Sequence, residues 1–230
     1  LTTSYIEQVR LYKTDREEFS KYTGDTLNLL LKTGFLFQVL MLLLAPVLII
    51  LVFRRGMFDN VAVKSCLIIF NILTVGFLPR LIMSFLTRTM YILGEYKKLL
   101  LAVFLKFVIQ VSIMAAFITM AKNTIPFAIV AGFMFISVLL FVYVKRSINL
   151  TSIRRFIGML VIISVVSTGL LLLHSFTINF YIEKTNLQVF LLYIPLIIIS
   201  MVVFMIFLSK NGMNPGFVKK IKSLFWKRIN

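Results

Sequence analysis

Two residues of this 230-residue chain carry charge where charge is costly. Arg80 and Lys106 each interrupt a long apolar run, and a cation in such a setting needs water, a carbonyl oxygen or a bound anion beside it. Their spacing from the flanking charges is the same: Arg80 lies eight residues before Arg88, and Lys106 eight residues after Lys98. At 1.5 Å per helical residue, both stand roughly 12 Å inside the same border of their runs. A pair of cations at one level offers attraction of an anionic headgroup such as a pyrophosphate, with Asn71 and Gln110 as polar neighbours. The competing reading is that each long side chain snorkels toward the nearer surface, and the sequence leaves both open.

Other chemistry is scarce. The single cysteine, Cys66, has no second cysteine to form an internal disulfide, and the single histidine, His174, excludes a His-rich metal site. His174 lies next to Ser175 and near Asn179, toward one end of an apolar run, and reads as an interfacial histidine. No Asp or Glu falls within any apolar run, so a carboxylate relay is not expected. Nor is a catalytic residue, a metal or a cofactor expected.

The elements that must hold these residues follow from composition. The chain is 60% hydrophobic and 14% charged, whereas soluble domains are about half apolar and a quarter charged. A soluble globule is excluded. A hydrocarbon layer of roughly 30 Å needs about 20 apolar helical residues, and six runs meet that length: Thr33 to Phe53, Val61 to Thr87, Leu99 to Ala121, Asn123 to Val144, Phe156 to Phe176, and Leu187 to Leu208. They show no alternation with period two, which a membrane barrel requires. The fold class is therefore all-α, a polytopic membrane helix bundle with six transmembrane helices.

Charge sets the orientation. The formal net charge of +17 would suggest nucleic acid in a soluble protein; here it fits the positive-inside rule and anionic lipid, and no nucleic-acid partner is expected. Of the 25 Lys and Arg, 18 fall in the N-terminal segment, alternate loops and the C-terminal tail, five on the opposite side, counting Lys64 at the start of the second run, and two deep inside runs. Both termini are thus expected in the cytoplasm. The layout is a cytoplasmic loop and helix over 1–32, four transmembrane helices over 33–144, a cytoplasmic loop over 145–155, a terminal helix pair over 156–208 and a basic amphipathic tail over 209–230. Thr14-Asp-Arg-Glu17 has capping-box spacing and predicts a helix start at Thr14. The tail places Phe217, Ile221, Leu224 and Phe225 at helical spacing opposite its cations, with Trp226 as an interfacial anchor. The chain begins at Leu1, with a polar stretch before its first apolar run, and is expected to be a fragment that begins inside a longer protein, with no signal peptide here.

The region from Phe53 to Lys98 carries a resemblance. Arg55-Gly-Met-Phe58 after the first run, a helix containing Gly76, and Thr87-Arg-Thr-Met-Tyr-Ile-Leu-Gly-Glu95 at its end are similar to the Arg-Gly-x-Phe and Ser-Arg-x-Phe-Tyr-Ala-Leu-x-Asp pattern of the MviN/MurJ family. These are lipid II flippases of the multidrug/oligosaccharidyl-lipid/polysaccharide exporter superfamily. The chain departs from the pattern where Glu95-Tyr-Lys-Lys-Leu99 replaces an Asp-Thr-x-Thr-Pro run, where Ser84 replaces a common arginine and where Arg80 takes a usually apolar place. The resemblance implies that the six runs are helices nine to fourteen, a C-terminal lobe plus the terminal pair that forms a groove for a lipid tail.

It further implies translocation of lipid II, an undecaprenyl-pyrophosphate-linked peptidoglycan precursor, across the bacterial cytoplasmic membrane, with the N-terminal lobe of the same chain, membrane lipids and the anionic glycolipid as partners. Arg55, Gly56, Phe58, Gly76, Arg88, Tyr91 and Glu95 would be its motif and gate residues. Each also has a plain structural use: Gly56 for a turn, Phe58 and Tyr91 as interfacial aromatics, Arg88 as a snorkelling cation and Gly94 as a helix cap. Two other activities remain open at this stage. One is transport of a polysaccharide or O-antigen unit. The other is a glycosyltransferase or ligase acting on the same carrier, for which Asp59 and Glu183 are the only acids on the external side.

Overall fold

A computed structural model describes residues 2–53, 59–117 and 124–148, with isolated positions at 158, 161, 165, 169, 188, 194 and 195. The chain divides into two units, Leu1–Lys184 and Thr185–Asn230, and every helix described below belongs to the first. Six helices follow one another: α1 (Thr2–Thr14), α2 (Arg16–Phe53), α3 (Asn60–Val75), α4 (Phe77–Ile92), α5 (Tyr96–Phe117) and α6 (Thr124–Ser147). Four stretches are long and apolar enough to cross a membrane: Arg16–Ile50, Asn60–Ile92, Tyr96–Phe117 and Thr124–Ser147. They correspond to the first four runs of the sequence. Apart from the isolated positions, the fifth and sixth runs and the basic tail lie outside the described residues.

The start of α2 differs from expectation by one residue. Thr14 closes α1, its hydroxyl donating to Arg10 O at 3.1 Å, and Asp15 is the cap. The Asp15 carboxylate accepts the N–H groups of Glu17 at 2.8 Å and Glu18 at 3.0 Å, satisfying two donors that the first helical turn leaves open. A carboxylate one position later outcompetes the threonine hydroxyl for the same donors. From Asp15 onward the predicted surface helix and the first apolar run form one 38-residue helix, roughly 57 Å long at 1.5 Å per residue. Pro46 sits buried inside it, away from either end.

The second run is broken where a continuous helix was expected. α3 ends at Val75, α4 begins at Phe77, and Gly76 between them caps the one and opens the other. Gly76 N–H bonds Leu73 O at 3.0 Å, a tightened i−3 turn, before the ladder resumes with Arg80 N–H to Gly76 O at 3.0 Å. Pro79 has no N–H to give and glycine is a weak helix former, so the ladder fails within this turn. Gln38 Oε1 of α2 takes up the open Leu78 N–H at 3.1 Å, and Ser137 Oγ of α6 adds a bond to Pro79 O at 2.6 Å.

α4 occupies the centre of the bundle, packed against α1, α2, α5 and α6. Leu78, Ile82, Phe85, Leu86 and Met90 repeat along one face of it, all at or below 2% exposure. They meet Leu27 and Leu31 of α2 and Leu140 and Phe141 of α6. In lipid the apolar transfer term between helices vanishes, so close packing and polar ties must hold such a bundle. Glycines permit the close packing: a Cβ on Gly34 would stand 2.5 Å from Leu78 Cδ1, and one on Gly76 2.9 Å from Val130 Cγ2. A fully buried amide supplies a tie at the far end of α4, where Gln8 Nε2 reaches Thr23 Oγ1 at 3.2 Å and Thr89 Oγ1 at 3.4 Å, joining α1, α2 and α4.

Candidate functional site

Arg80 is the fourth residue of α4 and follows directly on the braced turn at Gly76–Pro79. Lys106 stands in the middle of α5. The two helices reverse direction through a turn at Leu93–Glu95, where Gly94 takes a φ of +73°. Glu95 N–H bonds Met90 O at 3.1 Å and Gly94 N–H bonds Tyr91 O at 3.2 Å, the paired bonds of a Schellman cap. This turn fixes the relative register of α4 and α5, and so the level of each cation.

The cations converge on one ring. Arg80 Cζ lies 5.9 Å from the centroid of Phe133 and Lys106 Nζ 4.5 Å from it, so α6 presents one aromatic face region to a guanidinium and an ammonium together. A ring quadrupole attracts each cation but does not cancel their mutual repulsion, which is strong at low dielectric. The arrangement suits an anion that both cations reach. Arg80 is exposed and Lys106 half-buried, so both are accessible to such a group.

The polar neighbours behave differently. Gln110, one turn beyond Lys106, donates its Nε2 to Ile129 O of α6 at 3.3 Å, and its side chain lies against Gly132, where a Cβ would come within 2.5 Å. It therefore ties α5 to α6 beside the cations. Asn71 is buried in α3, on the other side of the break from Arg80.

Among the motif residues, Arg55, Gly56 and Phe58 lie outside the described residues. Gly76 marks the helix break rather than the interior of a helix. Arg88 is half-buried, and Tyr91 is exposed with its ring 5.7 Å from that of Tyr96. Glu95 completes the cap and accepts from Lys98 Nζ at 2.7 Å. Of the two external acids open to a transferase, Asp59 is the N-cap of α3, accepting Ala62 N–H at 2.7 Å, and Glu183 lies outside the described residues.

Three residues of this region escape sequence reasoning. Phe133 is one of 23 phenylalanines and has nothing in its spacing to distinguish it. Ser137 and Gln38 are isolated polar groups in apolar runs, a signal that was available, as was the Gly76-Phe-Leu-Pro79 string at the break. Two surface clefts lie apart from the cations. One, of about 550 Å³, is lined by Arg16, Glu17, Ser20, Lys21, Ser147 and Ile148; the other, of about 450 Å³, by Thr87, Tyr91, Tyr96, Leu99, Leu100 and Val103.

Comparison with known proteins agrees with this architecture. No curated protein matches the chain. The family model described as lipid II flippase MurJ matches residues 10–191, from α1 through α6 and into the sixth apolar run. With membrane-length helices and a match over most of its length, this chain belongs to the MurJ lipid II flippase family, whose members are membrane transporters of lipid-linked substrates.

Proposed function

We propose that this chain is the C-terminal lobe and terminal helix pair of a flippase that moves lipid II, an undecaprenyl-pyrophosphate-linked peptidoglycan precursor, across the bacterial cytoplasmic membrane. The observation that carries the substrate's charge into the reading is the convergence of Arg80 and Lys106 on Phe133. A flippase must take a polar, anionic headgroup through a layer that excludes it while the tail remains in lipid. Two cations held at one level supply an electrostatic resting point for a diphosphate, and the ring between them keeps both heads directed to the same place.

In this reading six spans run with both termini in the cytoplasm, as the distribution of cations supports. Arg55 to Phe58 then form an external turn that helps to gate the pathway, Arg88 and Tyr91 lie at the cytoplasmic border, and 156–208 form the groove for the tail. The transferase alternative loses support because Asp59 is committed to capping α3.

The test is transport of lipid II into vesicles by the full-length protein carrying Arg80→Ala. Loss of a charge-assisted contact worth about 1.5–3 kcal/mol corresponds to roughly a 10- to 100-fold loss of transport. Arg80→Lys is expected to keep part of it. Unchanged flux in Arg80→Ala, with growth unaffected, excludes the headgroup role.

A further inference from the structure

The side chain argued to attract the headgroup belongs to a helix whose backbone is broken three residues earlier, and the break is not left to solvent. Leu78 N–H, which a continuous helix would give to its own preceding turn, is held by Gln38 Oε1 of α2 at 3.1 Å. Pro79 O lies 2.6 Å from Ser137 Oγ of α6. Gln38 and Ser137 are both fully buried. The serine hydroxyl also has Phe133 O within 2.7 Å, one turn back on α6, and its single proton therefore serves two carbonyls at the point where the shared ring is attached. These bonds are on the two residues immediately before Arg80.

We infer that Gln38 and Ser137 are positioning residues that set the place of the Arg80 charge by fixing the backbone at Leu78 and Pro79. Within a continuous helix the ladder alone fixes such a level. Here the turn is interrupted: Gln38 of α2 takes the N–H that the ladder leaves open, and Ser137 of α6 anchors the next carbonyl. Packing on the same turn reinforces the brace from both sides, with Gly34 against Leu78 and Gly76 against Val130. The functional weight of this arrangement rests on the headgroup role proposed for Arg80; the positioning itself does not.

The experiment uses the full-length protein with Cys66 replaced by Ala and a single cysteine introduced by Arg80→Cys or, as a control on α5, by Lys106→Cys. The rate of modification by a water-soluble thiol reagent is measured with and without Gln38→Met, which removes the acceptor. Loss of one buried hydrogen bond of about 1 kcal/mol should change the rate at position 80 by roughly fivefold and leave position 106 alone. Ser137→Ala should act in the same direction as Gln38→Met where the latter folds poorly. Equal changes at both positions, or none at position 80, overturn the inference.

Transport separates the two claims. If both hold, Gln38→Met lowers lipid II flux in the Arg80 chain but has no additional effect in Arg80→Ala. If Arg80→Ala transports normally, the headgroup reading falls while the labelling result still decides the positioning.

Discussion

α4 and α5 are neighbours in sequence, both rich in apolar residues and each with one cation inside a membrane-length run, yet they are held in opposite ways. α4 buries Leu78, Pro79, Ile82, Phe85, Leu86, Thr89 and Met90, whereas the buried residues of α5 are Leu99 and Ala102. On α5, Leu100 is 72% exposed and Phe107 61%. The difference teaches that apolar content does not decide burial within a bundle of this type. α4 segregates its side chains, with Arg80, Ser84 and Arg88 off the buried stripe, so one face alone can pack. α5, apart from Lys106, Gln110 and Ser112, carries apolar side chains around its span, and such side chains lose little by facing hydrocarbon. It packs chiefly along α6, where Gln110 Nε2 donating to Ile129 O adds a polar tie.

The largest test of that contrast is a pair of truncations. Phe85→Ala should lower the unfolding free energy by about 3–5 kcal/mol, because it empties a site closed by α2, α4 and α6. Phe104→Ala on α5, a site 60% exposed, should change it by no more than about 0.5 kcal/mol. Unfolding followed in bicelles measures both, and equal losses would mean that α5 is as enclosed as α4.

A smaller effect concerns the close approach of α4 to α6. Gly76→Ala puts a Cβ 2.9 Å from Val130 Cγ2, an overpacking expected to cost about 1–3 kcal/mol. Val130→Ala should relieve it in the double variant, and failure of that rescue would place the strain elsewhere in the broken turn.

The smallest expected effect lies at the turn that sets α4 and α5 in register. Gly94 has a φ of +73° with open space around it, so a side chain there meets no neighbour and pays only for the backbone. Gly94→Ala should cost about 1–2 kcal/mol and Gly94→Asn less, since asparagine tolerates the left-handed region better. Measured midpoints of unfolding would reveal an unexpected packing role if the two variants lost the same amount.

Much of this protein follows from its sequence, because the physics involved is one-dimensional. Hydrocarbon demands uncharged helices of a set length, and the first four runs could be read for that reason, even though α2 extends well before its apolar part. The matching depths of Arg80 and Lys106 were a matter of counting from Arg88 and Lys98, and the two do meet at one ring. Helix caps were half legible: Gly94 ends α4 as its type suggests, while the choice between Thr14 and Asp15 required knowing which oxygen reached the free N–H groups.

What the tertiary structure alone decided is which residues from distant helices complete a local defect. Gln38 and Ser137 lie 40 and 58 positions from the atoms they serve, Phe133 is on a different helix from both cations, and no periodicity within one helix connects them. A broken hydrogen-bond ladder in a low-dielectric interior must be repaired by whatever polar group the packing brings within reach. Sequence fixes that the repair is needed, at Gly76 and Pro79; the crossing of α2, α4 and α6 selects what makes it.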